Sequence, residues 1–184
     1  MQVILASKSP RRQLLLQAAG LAVEVRPSHI DETLLIDEDV PSAVQRLAIA
    51  KAAAVGPSDV PVIAADTLVA LDRRPLGQPA DLQEAHDMLI ALSGSTHQVY
   101  TGVCVAHRGQ SLHQVMCSKV CFYPLSEHQI DTYLQHNEVL DKAGAYEIQG
   151  GAASFVRAVD GPLDNVIGLP VRLTLSMLKE VSTP

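Results

Sequence analysis

The sequence predicts an α/β domain, and three observations carry that reading. Segments of helical period alternate with segments of strand period and leave few long gaps, the pattern of one α/β unit rather than of separate all-α or all-β units. One segment, Val60 to Leu71, is apolar almost throughout, as expected of a strand in a sheet covered on both faces. The 184 residues, 47% of them hydrophobic, suffice for the core of a single domain spanning residues 1–184, with room for two lobes.

The elements follow in order. Gln2 to Ala6 is a short apolar strand, Ser9 is a good helix N-cap and Pro10 suits the first helical position, so a helix runs Arg11 to Ala19 and stops at Gly20. A short strand near Ala22 to Arg26 precedes an acidic loop holding Asp31, Glu32, Asp37, Glu38 and Asp39. The next helix starts near Pro41, ends at Gly56 and turns Val44, Leu47, Ala48 and Ala52 inward. After the apolar strand, Arg73 to Pro79 reads as a turn, and a helix capped by Asp81 ends at Gly94. His97 to Ala106 and Ser111 to Tyr123 form a long hairpin around Gly109, and Ser126 with Gln129 makes a capping box for one more helix. Ala143 to Gly168, rich in glycine, reads as loop, strand and loop before a last amphipathic helix from Pro170 to Glu180.

Charge and composition exclude several classes of function. The net charge is −6 and the 14 basic residues are scattered, so the chain lacks the electrostatic footprint of a nucleic-acid binder. No apolar run reaches the roughly 18 residues of a spanning helix, and no signal-peptide pattern opens the chain; a cytoplasmic location, with no membrane partner, is the expectation. Cys104, Cys117 and Cys121 form no CxxC pair and read as reduced core residues. The histidines show no metal-binding spacing.

Four places carry candidate chemistry, each with a structural alternative. In Leu5 to Arg12, LASKSPRR, two guanidinium groups lie at a strand-to-helix turn, where free backbone N–H groups and the helix dipole favour an anion such as a polyphosphate. The alternative is an ordinary capped helix with two solvated arginines. Asp66 interrupts an apolar strand, where a carboxylate is costly unless paired, hydrogen-bonded or metal-bound; it is either catalytic or a buried Asp bonded to nearby backbone. Lys51 alone reads as a solvated residue at a helix end. In Ala143 to Gly151, AGAYEIQGG, small residues let backbone approach a ligand and Gln149 can both donate and accept, or the segment is a flexible turn.

Together these pieces resemble the Maf family of nucleoside triphosphate pyrophosphatases, the septum formation inhibitors. The resemblance runs nearly end to end: LASKSPRR, Asp31-Glu32, Leu47-Ala48 with Lys51-Ala52, Ala65-Asp66-Thr67, Leu76-Gly77, Leu92-Ser93-Gly94, His97, Thr101-Gly102-Val103, KAGAYEIQG from Lys142 to Gly150, and NVIGLP from Asn165 to Pro170.

The resemblance implies an α/β fold with a mixed, twisted central sheet, flanking helices and two lobes around a deep cleft, similar to inosine triphosphate pyrophosphatases; homodimers are common in such families. It implies hydrolysis of a nucleoside triphosphate between the α and β phosphates with a divalent cation, Mg²⁺ or Mn²⁺. Ser7, Ser9, Arg11 and Arg12 match the family's phosphate-binding turn, and Lys51 matches a second cation directed at the triphosphate. Asp66 matches the proposed proton acceptor, and Glu32 a carboxylate that holds the metal or assists Asp66; which of the two binds metal stays open. Arg11, Thr67 and Gln149 match positions linked to specificity for dTTP and UTP. The branch acting on 7-methyl-GTP is the weaker match, and a nucleotide-binding regulator of division with weak turnover is the alternative from another class.

One departure bears on substrate binding. After Leu76-Gly77 the family usually has Lys, and this chain has Gln78, which donates a hydrogen bond but no charge. Weaker triphosphate binding or slower turnover is the expectation, with Lys8, Arg73 or Arg74 as candidate replacements. Ser95, where the family often has Arg or Gln, is a smaller departure.

Overall fold

The computed structural model describes residues 1–183. The elements run β1 (Gln2–Leu5), α1 (Pro10–Ala18), β2 (Ala22–Val25), α2 (Val40–Ala54), β3 (Val62–Leu71), β4 (Arg74–Leu76), α3 (Leu82–Leu92), β5 (Thr96–His107), β6 (Gln110–Phe122), α4 (Glu127–His136), β7 (Val156–Asp160), α5 (Leu163–Ile167) and α6 (Val171–Ser182). Two short 3-10 turns, Ala143–Ala145 and Gly151–Phe155, lie between α4 and β7. The seven strands form one sheet in the order β2-β1-β3-β5-β6-β7, with β4 paired to β3. β1 pairs in parallel with β2 and β3, while β4 on β3 and β7 on β6 are antiparallel, so the sheet is mixed as the resemblance implies.

The chain folds as two compact units. The first holds Met1–Thr67, Thr101–Met116 and the chain from Gly168 on. Here Val3–Leu5 of β1 and Val62–Ala65 of β3 are covered on both faces, which is why those stretches are apolar. Val3, Leu5, Ile63 and Ala65 join Leu16, Met177 and Leu178 in one core layer, with α1 and α6. The intervening Ile4, Ala6, Val62 and Ala64 join Ala48 and Ala52 of α2 in the other. That second layer is built of small residues, and helix and sheet approach closely. At Gly102 on β5 a Cβ would lie 2.2 Å from the carbonyl oxygen of Val44, so only glycine fits under α2.

The second unit, Leu68–Tyr100 with Cys117–Ile167, has a different interior. Its core gathers Phe122, Tyr133, Tyr146 and Phe155 with aliphatic residues of α3 and α4. Phe122 meets Tyr146 and His97 edge-on at ring separations of 5.0 and 4.9 Å. His97 is wholly buried; its Nε2 lies 2.8 Å from the Tyr146 hydroxyl, and its Nδ1 has no hydrogen-bond partner among the described residues.

Most caps and boundaries stand where the residues place them. Ser9, Asp39, Asp81 and Ser126 each accept a backbone N–H as N-caps, and the Ser126–Gln129 capping box is complete. The stretch read as a turn contains β4, because Asp72 and Arg73, both at positive φ, make a tight hairpin turn without the glycine that usually signals one. The Gly-rich tail adds the two 3-10 turns and α5, too short to show a period. The cysteines divide: Cys104 is buried as expected, whereas Cys121 is half-buried and Cys117 exposed, because β6 alternates covered and open positions.

Candidate active site

The two polar residues of β3 end the two apolar rows of that strand. Asp66 continues the row Val62–Ala64 that faces α2, and Thr67 continues the row Ile63–Ala65 that faces α1. Each meets a cation on its own side of the sheet. Lys51, in the last turn of α2 on the face of Val44, Ala48 and Ala52, donates to Asp66 Oδ1 at 2.6 Å and to Glu32 Oε2 at 2.7 Å. Lys51 and Asp66 side chains are each only 8% exposed, while Glu32, on the acidic loop, is 54% exposed. The reading of Lys51 as a solvated helix end is therefore corrected. The small residues around it let α2 lie close enough to the sheet for its ammonium to reach into the strand.

On the other face, Arg12 is tied at three points. Its Nε donates to the Gly168 carbonyl at 2.8 Å, Nη1 to Ser7 Oγ at 3.1 Å and Nη2 to Thr67 Oγ1 at 3.0 Å. Its pKa is lowered chiefly by burial; Asp66 opposes that and Arg11 adds to it. Both serines of the turn are engaged in building it. Ser9 Oγ caps the helix by accepting from the Arg12 N–H, and Ser7 Oγ accepts from the Ser9 N–H. Arg11 follows on the same first turn, half-buried.

The arrangement has a definite electrostatic character. A buried ion pair is poor evidence for stability, because desolvating two charges costs about as much as their attraction returns. A carboxylate, an ammonium and a helix N-terminus with two arginines, all within one small unit, suit a water to be deprotonated and phosphate charge to be neutralised. Glu32 and Asp66 are hard oxygen donors, and each uses one oxygen on Lys51. Among the described residues no group of three metal-ligating His, Cys, Asp or Glu side chains occurs. Two carboxylates fit a cation such as Mg²⁺, which takes one or two from protein and completes its shell with water and substrate phosphate.

Of the residues singled out from sequence, Ser7, Ser9, Arg11, Arg12, Glu32, Lys51, Asp66 and Thr67 all belong to the first unit. Gln78 and Gln149 belong to the second. Gln78, exposed, donates to the Asp141 carbonyl at 3.1 Å. Gln149 is also exposed, on a segment that is pinned rather than loose. Gly144 N–H donates to Gly77 O, Glu147 N–H to the Tyr133 hydroxyl, and Lys142, 9% exposed, bonds Asp141 at 2.6 Å. The sequence reading passed over Thr101, fully buried with its Oγ1 2.9 Å from Thr67 Oγ1, and the Gly168 carbonyl that anchors Arg12. Both stand inside quoted motifs, but the contacts span 34 and 156 positions of chain, which no local pattern reveals.

Similarity to known proteins extends over nearly the whole chain. Residues 2–181 match the family described as Maf-like protein. The chain is 46% identical over 187 residues to a dTTP/UTP pyrophosphatase of Anaeromyxobacter dehalogenans, covering 100% of this chain and 95% of the relative. It is 45% identical over 179 residues to a dTTP/UTP pyrophosphatase of Lacticaseibacillus casei, covering 96% and 97%. A solved HAM1 protein from Coxiella burnetii overlies 98% of this chain and 99% of its own at 15% identity, with a TM-score of 0.48.

Proposed function

The chain belongs to the Maf-like protein family, and from that we propose that it is a nucleoside triphosphate pyrophosphatase acting on dTTP and UTP. The observation that carries the reading is the buried Lys51 ammonium, 2.6 Å from Asp66 and 2.7 Å from Glu32, in the unit that presents Arg11 and Arg12 at a helix N-terminus. The names of the curated relatives support the choice of pyrimidine substrates over 7-methyl-GTP.

In this reaction the oxygen of a water forms a bond to the α phosphorus. The bond from that phosphorus to the oxygen bridging the β phosphorus breaks, and pyrophosphate leaves with that oxygen. Asp66 accepts the proton of the water, and Lys51 holds the carboxylate in place for it. Arg11 and Arg12, held by the Ser7–Ser9 turn at the start of α1, take the phosphate charge. Glu32 and Asp66 would hold a divalent cation, Mg²⁺ or Mn²⁺, which when bound supplies further neutralisation of the phosphate oxygens. Thr67 acts on specificity through Arg12, whose guanidinium it orients, and Gln149 reads the base by donating and accepting.

The test is product analysis with dTTP, UTP, CTP, GTP and 7-methyl-GTP, each with Mg²⁺ or Mn²⁺. Monophosphate and pyrophosphate from dTTP and UTP are expected. Monophosphate from 7-methyl-GTP alone would overturn the substrate choice, and diphosphate with inorganic phosphate would overturn the reaction.

A further inference from the structure

The loop from Arg26 to Asp39 has neither helix nor strand, and between residues 27 and 39 it carries five carboxylates and no lysine or arginine. Its carboxylates repel one another, and Leu35 and Ile36 are left exposed rather than packed into a core, so something outside the segment must fix its course. Glu32 sits within it, more than half exposed, and its hydrogen bond among the described residues is the one to Lys51. The position of that carboxylate is therefore the position of the loop.

Besides Lys51 at Glu32, Arg46 ties the loop down at two further points. Arg46 of α2 donates through Nε to Glu38 Oε1 and through Nη2 to Glu38 Oε2, both at 2.7 Å, and through Nη2 to the Thr33 carbonyl at 3.2 Å. The fork is bidentate, the Glu38 side chain is only 10% exposed, and the same carboxylate accepts the Leu35 N–H at 3.2 Å. An ordinary surface ion pair contributes little, but this one closes a loop by gripping it on both sides of its tip, next to Glu32 and at Glu38. The bonds to Arg46 also hold the Glu38 carboxyl below the usual carboxylate range.

We infer that Arg46 is a positioning residue for the reaction proposed above: by clamping Thr33 and Glu38 it sets the acidic loop so that Glu32 meets Lys51 beside Asp66. The inference rests on that reading for its catalytic consequence, while the clamp itself is read separately. Two variants of the full chain, Arg46→Gln and Glu38→Gln, are compared with wild type by amide hydrogen exchange without substrate and by kinetics with dTTP. Exchange at Thr33, Leu35 and Glu38 should rise about tenfold or more, with the amides of β1 and β3 unchanged. Arg46→Gln should lower kcat about tenfold with KM within about twofold, and on the residual activity of a Glu32→Gln background less than about twofold. Glu38→Gln should move both readouts in the same direction, and it carries the test if Arg46→Gln does not fold. Unchanged loop exchange in the folded variants would overturn the clamp. Equal losses of kcat with and without Glu32 would overturn the route through Glu32. If wild type cleaves no nucleoside triphosphate, the function proposed above falls, and the exchange measurement still decides whether Arg46 holds the loop.

Discussion

The two units solve opposite problems with the same hydrophobic budget. The second packs aromatic rings edge to face around Phe122 and buries one histidine among them. The first has an interior of aliphatic side chains, and its layer under α2 is largely alanine. Rings fill space and fix one arrangement; alanines let backbones come close. Closeness is what a short reach demands, and the charged residues Lys51, Asp66 and Arg12 are all found in the unit built that way. The contrast teaches that the small-residue layer sets the ion pair, since a bulkier layer would lift Lys51 away from Asp66.

Asp66→Asn should break the first unit's function most completely. The amide keeps the shape but cannot accept the proton, and a fall in kcat of about 10³-fold is expected, the middle of the range for general acid–base groups. Lys51 retains Glu32 as a partner, so Tm should move by less than about 5 °C. Loss of nucleotide binding together with a collapse of Tm would instead make Asp66 part of the scaffold.

Gly102→Ala attacks the close approach itself. The added methyl would meet Val44 O at 2.2 Å, Val44 C at 2.4 Å and Gln45 N at 2.8 Å, all backbone atoms that cannot rotate away. The expected cost is about 3 kcal/mol in denaturant unfolding, at the upper end for overpacking, with a drop in kcat as α2 carries Lys51 outward. A variant as stable and as active as wild type would show that the tight layer is incidental.

His97 provides the corresponding test for the second unit. Burial lowers its pKa to about 4, against an ordinary 6.5, so the folded chain holds the ring neutral while the unfolded chain protonates it first. Stability from this group is therefore complete above pH 6.5 and is lost as pH falls toward 4, by an amount on the order of 3 kcal/mol. Unfolding free energies at pH 7 and 4.5 should differ by that much more in wild type than in His97→Phe. The variant is expected to be less stable at pH 7, because the Tyr146 hydroxyl loses its partner, but flatter with pH. Identical slopes would place the acid sensitivity elsewhere.

How much of this was legible from residues alone follows the range of the interactions. Caps at Ser9, Asp81 and Ser126 act within three positions, and the covered strand announced itself by losing its alternation. Asp66 stood out because a carboxylate in such a strand needs a reason. What Lys51 did was not legible, because the same lysine at a helix end is ordinarily solvated, and its burial depends on a chain reversal that brings Asp66 to it from 15 positions away. β4 was missed for a local reason, the turn at Asp72-Arg73 taking positive φ without glycine. Arg46 was missed because its partners are loop residues 8 and 13 positions back, in a segment with no period to read.

The smallest expected effect sharpens the comparison most. Gln78 is exposed on the second unit, bonded to the Asp141 carbonyl, and stands where a lysine would be expected from the resemblance. Gln78→Lys adds one exposed positive charge without disturbing a core, so stability should not change measurably. If a charge at this position helps to hold phosphate, kcat/KM for dTTP should rise about threefold at low salt, the scale of one exposed charge-assisted contact, and fall back as ionic strength screens it. An unaltered kcat/KM at every salt concentration would show that a charge at position 78 plays no part in phosphate recognition and leave it to Arg11 and Arg12.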